Sequence, residues 1–197
     1  MEERLKSKST RRLFIKTAAL GLLAHRVSGE TLQTTQKNKS GFTVFDKSSR
    51  IDIGDRAEAM IQKAYDLGFH YEKEHRGCAR CTIAALQDAI DFVPADEGLF
   101  RAASCLDGGA TPTNLASCGA FTGSGMLIGW LCGTGRFGDN SLSHDLIHKV
   151  HQSFVNEYGS VICKKVRESS GRNCPEVVAN SCKWTAEAIL KQFTNYE

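Results

Sequence analysis

The sequence has no segment in which apolar and polar residues alternate as they do in a half-buried β-strand. It also has no H-E-x-x-H, G-x-S-x-G or P-loop motif. These absences leave zinc proteases, α/β-hydrolases and P-loop nucleotide hydrolases without support. The stretch GTGRFG at 133–138 matches G-x-G-x-x-G, but no strand precedes it, so we interpret it as a loop.

The sequence does have helical periodicity, and we predict an all-α fold, a compact bundle of about five helices. Pro94 bars the continuation of one predicted helix, and Pro175 stands in the favoured first turn of another. The predicted helices cover residues 55–74, 81–93, 98–105, 118–133 and 141–158, and a last helix begins near residue 174.

The N-terminal residues have the pattern of an export leader. STRRLFIK, at 9–16, places the pair Arg11 and Arg12 before two apolar residues and a lysine, which is nearly the twin-arginine pattern. The apolar run at 17–24 is too short to span a bilayer. We predict a twin-arginine signal at 1–29, a linker at 30–40 and a cysteine-rich helical domain at 41–197. The twin-arginine export machinery is then a partner, and the location is periplasmic or extracytoplasmic.

The basic charge of the chain belongs to this leader. Residues 1–29 contain seven Lys/Arg and two Asp/Glu, whereas the rest contains 18 Lys/Arg and 20 Asp/Glu, a net charge of −2. The domain after the leader therefore has no electrostatic footprint for nucleic acid, and we predict no nucleic-acid partner. The sequence leaves a homodimer open.

All eight cysteines lie in the domain after the leader. In an exported protein the simplest interpretation is structural disulfides. The domain is large enough to build a core without them, however, and several cysteines open predicted helices, where the N-terminal dipole favours a thiolate. A continuous helix would separate Cys132 from Cys118 by about 21 Å, and Cys182 from Cys174 by about 12 Å. A single site can therefore use at most one cysteine of each pair.

The segments GCARCTIAALQDA, CGAFTG, GSVIC and NCPEVV resemble the redox-active family named C_GCAxxG_C_C, over most of the chain from residue 55. The resemblance implies a redox domain with four site cysteines, Cys78, Cys118, Cys163 and Cys174. Cys81 is a near alternative to the first, and the remaining three are extras, namely Cys105, Cys132 and Cys182. The split-Soret cytochromes c are similar in this helical region, where they hold a non-haem iron centre besides haem. Here CARCT ends in Thr82, so the chain lacks C-x-x-C-H and has no c-type haem attachment site.

Three functions follow from the cysteines. In the first, the four implied cysteines ligate an iron–sulfur centre in an electron-transfer protein with an unknown redox partner. In the second, Cys78 and Cys81 form a metal-free dithiol–disulfide pair, with Cys78 the more exposed thiol. In the third, the domain is structural and disulfide-bonded. Zinc would use the same four ligands as iron, and the sequence does not decide whether the protein is an enzyme.

The stretch CGAFTGSGMLIGWLCG, at 118–133, is apolar but contains five glycines. Gly125 and Gly129 lie on the helix face of Cys118, and we predict that this face lets a neighbouring backbone approach closely. We also expect the small Gly119 and Ala120 to leave the N–H groups of the first turn open to a sulfur or a cluster.

Overall fold

The computed structural model describes residues 44–110 and 113–197, so the predicted export signal and linker lie outside the described residues. The described chain is helical, which confirms the all-α class. It contains eight α-helices rather than about five: α1 (Ala57–His75), α2 (Cys78–Ala89), α3 (Glu97–Ala102), α4 (Asp107–Ala110), α5 (Gly119–Cys132), α6 (Ser141–Tyr158), α7 (Cys163–Ser169) and α8 (Cys174–Phe193). A 3-10 turn at Ala103–Cys105 follows α3.

The five long helices, α1, α2, α5, α6 and α8, form the bundle. α1 packs along α8 and α2, α2 packs on α5, and α6 packs on α5 and α8. Their buried faces meet in one core, with Leu86 of α2, Leu127 of α5 and Phe154 of α6 fully buried. Burial of each such side chain contributes roughly 1.5–3 kcal/mol. No helix within residues 44–110 and 113–197 has the length and hydropathy of a membrane span.

The second predicted helix differs from α2 at both ends. α2 begins at Cys78, three residues earlier than predicted, and ends at Ala89, because Ile90 adopts an extended conformation. Ile90 and Val93 are nevertheless buried, at 1% and 2% exposure, and the Val93 N–H donates to the Ile90 carbonyl across a turn. The apolar pattern therefore continues from α2 into this turn, so the sequence pattern could not show where α2 ends.

The close approach to α5 occurs at Gly119 and Gly123, so the prediction for Gly125 and Gly129 is wrong. A Cβ on Gly123 would lie 2.6 Å from the carbonyl oxygen of Ala79 in α2. A Cβ on Gly129 would have no atom within 4 Å, and one on Gly125 would meet only a side chain of α6 at 3.5 Å. The glycine face that contacts a neighbouring backbone is therefore turned toward α2.

Candidate functional site

Each of the four cysteines implied by the resemblance stands at a helix N-terminus. Cys78, Cys163 and Cys174 are the first residues of α2, α7 and α8, and Cys118 is the N-cap of α5. The sequence placed three of them at or within three residues of a predicted helix start, whereas the short helix α7, which begins with Cys163, was not predicted. All four side chains line one cavity of about 190 Å³ at one end of the bundle. Residues far apart in the chain thus share one small volume.

Backbone pairing brings two of the helix starts side by side. The Cys118 N–H donates to the Val161 carbonyl at 2.7 Å, and the Cys163 N–H donates to the Ala116 carbonyl at 2.9 Å. These bonds belong to an isolated antiparallel bridge between the segments that enter α5 and α7. The bridge fixes the spacing of Cys118 and Cys163 without relying on their side chains.

The glycine-rich turn α4 holds α2 and α7 against the cavity. Asp107 accepts the Ala79 N–H at 2.8 Å and so satisfies one of the free donors in the first turn of α2. The backbone N–H of Gly108 donates to the sulfur of Cys78. Gly109 has φ 75°, and a Cβ there would lie 2.9 Å from the Cβ of Cys163. Glycine is required at this position for both the backbone conformation and the contact.

Gly119 lets α2 and α5 start next to each other. A Cβ on Gly119 would overlap the sulfur of Cys78, and it would lie 3.1 Å from the Ala79 nitrogen and the Leu106 oxygen. The residue that follows Cys118 must therefore be glycine for the Cys78 sulfur to occupy its place. The N–H groups of the same helix turn also contact a sulfur, as the small residues there led us to expect.

Burial controls the protonation of the cysteines in the metal-free chain. It is the largest cause of a raised pKa in each of the four: Cys78, Cys118, Cys163 and Cys174. The pKa of Cys118 rises to about 12, although the N–H groups of Ala120 and Phe121 act in the opposite direction. The helix N-terminus therefore acts in the expected direction at Cys118, but desolvation exceeds its effect and the net pKa is raised. Charges on neighbouring cysteines raise the values further, since the sulfurs lie near one another.

The sequence analysis did not identify Glu72, a buried acid that also lines the cavity. Glu72 is 8% exposed, and its Oε2 has no hydrogen-bond partner within the described chain. Burial raises the pKa of Glu72 to about 7, against the opposing effects of a hydrogen bond with Cys81 and of nearby arginines. A signal was present in the sequence, because Glu72 follows Gly68 by one helical turn on the buried stripe of α1.

Two further residues on the cavity wall were also missed. The Arg167 guanidinium donates to the Asn114 side-chain oxygen at 2.9 Å, and the Cys163 sulfur lies 3.6 Å from the same oxygen. Arg167 acts to lower the pKa of Cys174, although burial has the larger, opposite effect. The positive charge of Arg167 is therefore available to a negatively charged group held by the cysteines. Arg167 lies in α7, a helix that the sequence analysis did not predict, so its position in the cavity wall was not predicted either.

The other four cysteines lie outside the cavity wall. Cys81 is buried, its thiol donates to the Arg76 carbonyl at 3.5 Å, and burial raises its pKa to about 12. Of the remaining three, Cys105 is exposed. The Cys132 thiol forms a hydrogen bond within its own helix α5, and Cys182 is buried against α2. All eight cysteines are unpaired in the structure.

The walls of the cavity fit a negatively charged group held by thiolates. Among residues 44–110 and 113–197, no three His, Cys, Asp or Glu side chains are grouped closely enough to hold a single metal ion. Four thiols instead surround a space, with backbone N–H donors and Arg167 beside them. Thiolates are the ligands of iron–sulfur clusters, and hydrogen bonds to sulfur are part of how proteins tune these clusters.

A comparison with family models identifies the relatives of this chain. The model described as "putative redox-active protein (C_GCAxxG_C_C)" matches residues 77–188, which is more than half of the chain. The chain belongs to this family. The matched region begins one residue before Cys78 and includes all four cysteines of the cavity. No curated protein and no solved structure matches the chain.

Proposed function

We propose that this member of the C_GCAxxG_C_C family is an exported electron-transfer protein whose four cavity cysteines ligate an iron–sulfur centre. The observation that carries the proposal is that three helices begin with a cysteine, and a fourth has a cysteine as its N-cap, at one shared cavity. Four cysteine thiolates are the usual ligands of two-iron and four-iron clusters. When bound, such a centre would supply one-electron redox chemistry. The sequence motifs also resemble the helical region of split-Soret cytochromes c, and that resemblance implies iron at these cysteines.

The spacing of the potential ligands favours a cluster over zinc. The four cysteines line a cavity of about 190 Å³, and within the described residues no three potential ligands are grouped closely enough to hold a single ion. A zinc ion would need the four sulfurs to converge at bonds of about 2.3 Å.

The chain itself would control protons and solvent at this site. Because burial raises the pKa of all four thiols, the metal-free protein keeps them protonated at neutral pH, and binding of the centre would release these protons. Cys118 and Cys163 are buried, whereas Cys78 and Cys174 are partly exposed. We expect the redox partner to approach the side on which Cys78 and Cys174 reach the surface.

A metal-free dithiol–disulfide protein is the second candidate. One observation favours it, since Cys78 is more exposed than Cys81, as an attacking thiol should be. The raised pKa values of both thiols oppose it, because the thiolate is the nucleophile. A structural domain with disulfides is the third candidate.

Three serine variants, Cys118→Ser, Cys81→Ser and the control Cys132→Ser, separate these candidates. Cys118→Ser removes a proposed ligand, whereas Cys132→Ser changes a buried cysteine of the same helix outside the cavity and serves as the matched control. Each protein is purified without oxygen, and its visible spectrum and iron content are measured. We expect coloured wild-type protein, a several-fold loss of iron in Cys118→Ser, and unchanged iron in Cys132→Ser and Cys81→Ser.

The same samples show which alternative holds if this expectation fails. A colourless wild type that loses thiol–disulfide exchange in Cys81→Ser would favour the dithiol protein. A colourless wild type in which Cys118→Ser and Cys81→Ser both behave like the parent would leave the structural domain. Zinc, measured as bound metal without colour and lost in Cys118→Ser alone, would replace iron in the proposal.

A further inference from the structure

A second pocket lies between the C-terminal end of α1, the helix α2, and α3. Its volume is about 360 Å³, and it shares no lining residue with the four-cysteine cavity. Small-molecule sites usually have volumes of about 300–1,000 Å³, so this pocket suits a ligand of about two fused rings. The lining residues are Tyr71, His75, Arg76, Arg80, Cys81, Ala84, Asp88 and Phe100.

Positive charge exceeds negative charge in this pocket. Arg76 and Arg80 are opposed by one lining carboxylate, Asp88, which accepts the Tyr71 hydroxyl at 2.7 Å. Arg80 is partly neutralised from outside the pocket, because its Nε lies 3.5 Å from Asp107. The Arg76 guanidinium makes no ion pair or hydrogen bond within the described residues, although its charge also acts on Glu72 and Cys174 of the four-cysteine cavity. It is therefore available to an anion.

The rest of the pocket wall is apolar and partly aromatic. Phe100 and Ala84 provide apolar surface, and Cys81 is a buried part of the wall. The Arg80 guanidinium stands 6.0 Å from the centre of the Phe100 ring, at the limit of a cation–π contact. Such a surface favours a flat ring, which can pack against both the phenyl group and the guanidinium plane.

The backbone at the α1–α2 junction, which positions the two arginines, is conformationally strained. Arg76 has φ 55° and ψ 163°, a strained conformation for a non-glycine residue and one that clusters at functional sites. The next residue, Gly77, has φ 106°, and a Cβ there would lie 2.7 Å from an Arg80 guanidinium nitrogen. Glycine thus leaves room for the Arg80 side chain, and the strained residue Arg76 stands at the rim of the same pocket.

We propose that this pocket binds a planar aromatic carboxylate, with the carboxylate at Arg76 and the rings against Phe100. Charge-assisted hydrogen bonds to arginine are about twice as strong as neutral ones and would orient the anion. Glu72, which lines the four-cysteine cavity, also pairs with Cys81 in the wall of this pocket, so the two sites are neighbours. The proposal does not depend on an iron–sulfur centre.

Calorimetric titration with 2-naphthoate tests this site. We expect saturable binding to the wild-type chain, and affinity at least about ten-fold lower for Arg76→Gln, since a hydrogen bond to a charged group contributes about 1.5–3 kcal/mol. Arg101→Gln changes an exposed arginine of α3 outside the pocket and should bind like the wild type. Two control ligands separate charge from shape, because 2-naphthamide lacks the charge and cyclohexanecarboxylate lacks the aromatic rings. Both should bind at least several-fold more weakly.

Three results would overturn the proposal: no saturable binding at millimolar naphthoate, equal affinity for naphthamide, or unchanged affinity in Arg76→Gln. Thermal unfolding of each variant checks that a lost affinity is not a lost fold. The titration is repeated on Cys118→Ser, whose iron content tests the separate iron–sulfur proposal. Equal naphthoate affinity in that variant is expected, and loss of binding there would contradict the independence of the two sites.

Discussion

At the scale of single residues, Glu72 is the acidic side chain on the buried face of α1. Its folded pKa of about 7 lies above the ordinary value of 4.5, because burial disfavours the charged form. Between these two values the folded chain binds more protons at this group than the unfolded chain does. The contribution of Glu72 to stability is therefore fully present below about pH 4.5, and it is lost as the pH rises through about 7.

We expect Glu72→Gln to abolish the loss of stability at high pH in metal-free protein, because glutamine keeps the shape of the side chain without its charge. The free energy of unfolding at pH 8 should rise by on the order of 2 kcal/mol relative to wild type, with little difference at pH 4.5. Urea unfolding at both pH values measures it. Glu74→Gln, at an exposed position of the same helix, is the control and should leave the pH dependence unchanged. An identical pH profile in Glu72→Gln would mean that Glu72 is not desolvated as described.

At the scale of helices, the sequence predicted the long elements and missed the short ones that build the site. More than five turns of apolar periodicity define α1 and α8, and Pro175 marks where α8 starts. α7 has only seven residues, of which Cys163 and Val166 are buried, so it shows no readable period. The turn α4 depends on left-handed glycines, and composition alone indicated a loop there. Contacts between distant segments, such as the bridge before α5 and α7, have no local signal at all.

The α2–α5 contact gives a matched pair of glycine variants. Gly119→Ala should lower both thermal stability and iron content, because its Cβ would meet the Cys78 sulfur and rigid backbone atoms of Ala79 and Leu106. Gly129→Ala, in the same helix, should raise stability by about 0.5–1 kcal/mol, because its Cβ meets nothing and alanine is the better helix former. Thermal unfolding compares them. Equal stability of the two variants would contradict the assignment of the close face.

At the scale of the whole molecule, the four-cysteine cavity exists only in the folded chain. Its wall includes Glu72 of α1 near the start of the described domain and Val178 of α8 near its end, with contributions from α2, α4, α5 and α7 between them. The family motif identified the four cysteines that line the cavity, whereas their convergence depends on the packing of all these helices. A centre held there would connect distant parts of the chain, so its loss should loosen the entire bundle.

A site that requires the complete fold is consistent with the twin-arginine route, which carries folded proteins. If residues 1–29 are the export leader that the sequence predicts, replacing Arg11 and Arg12 together by lysine should keep the protein in the cytoplasm, because the pathway recognises the arginine pair and not the charge alone. Cell fractionation measures the distribution, and Arg26→Lys, outside the pair, should be exported like wild type. Iron is measured in both fractions. The retained double variant should contain as much iron as exported wild-type protein, because loading would precede export. Normal export of the double variant would refute the leader assignment, and retained protein without iron would show that loading follows export.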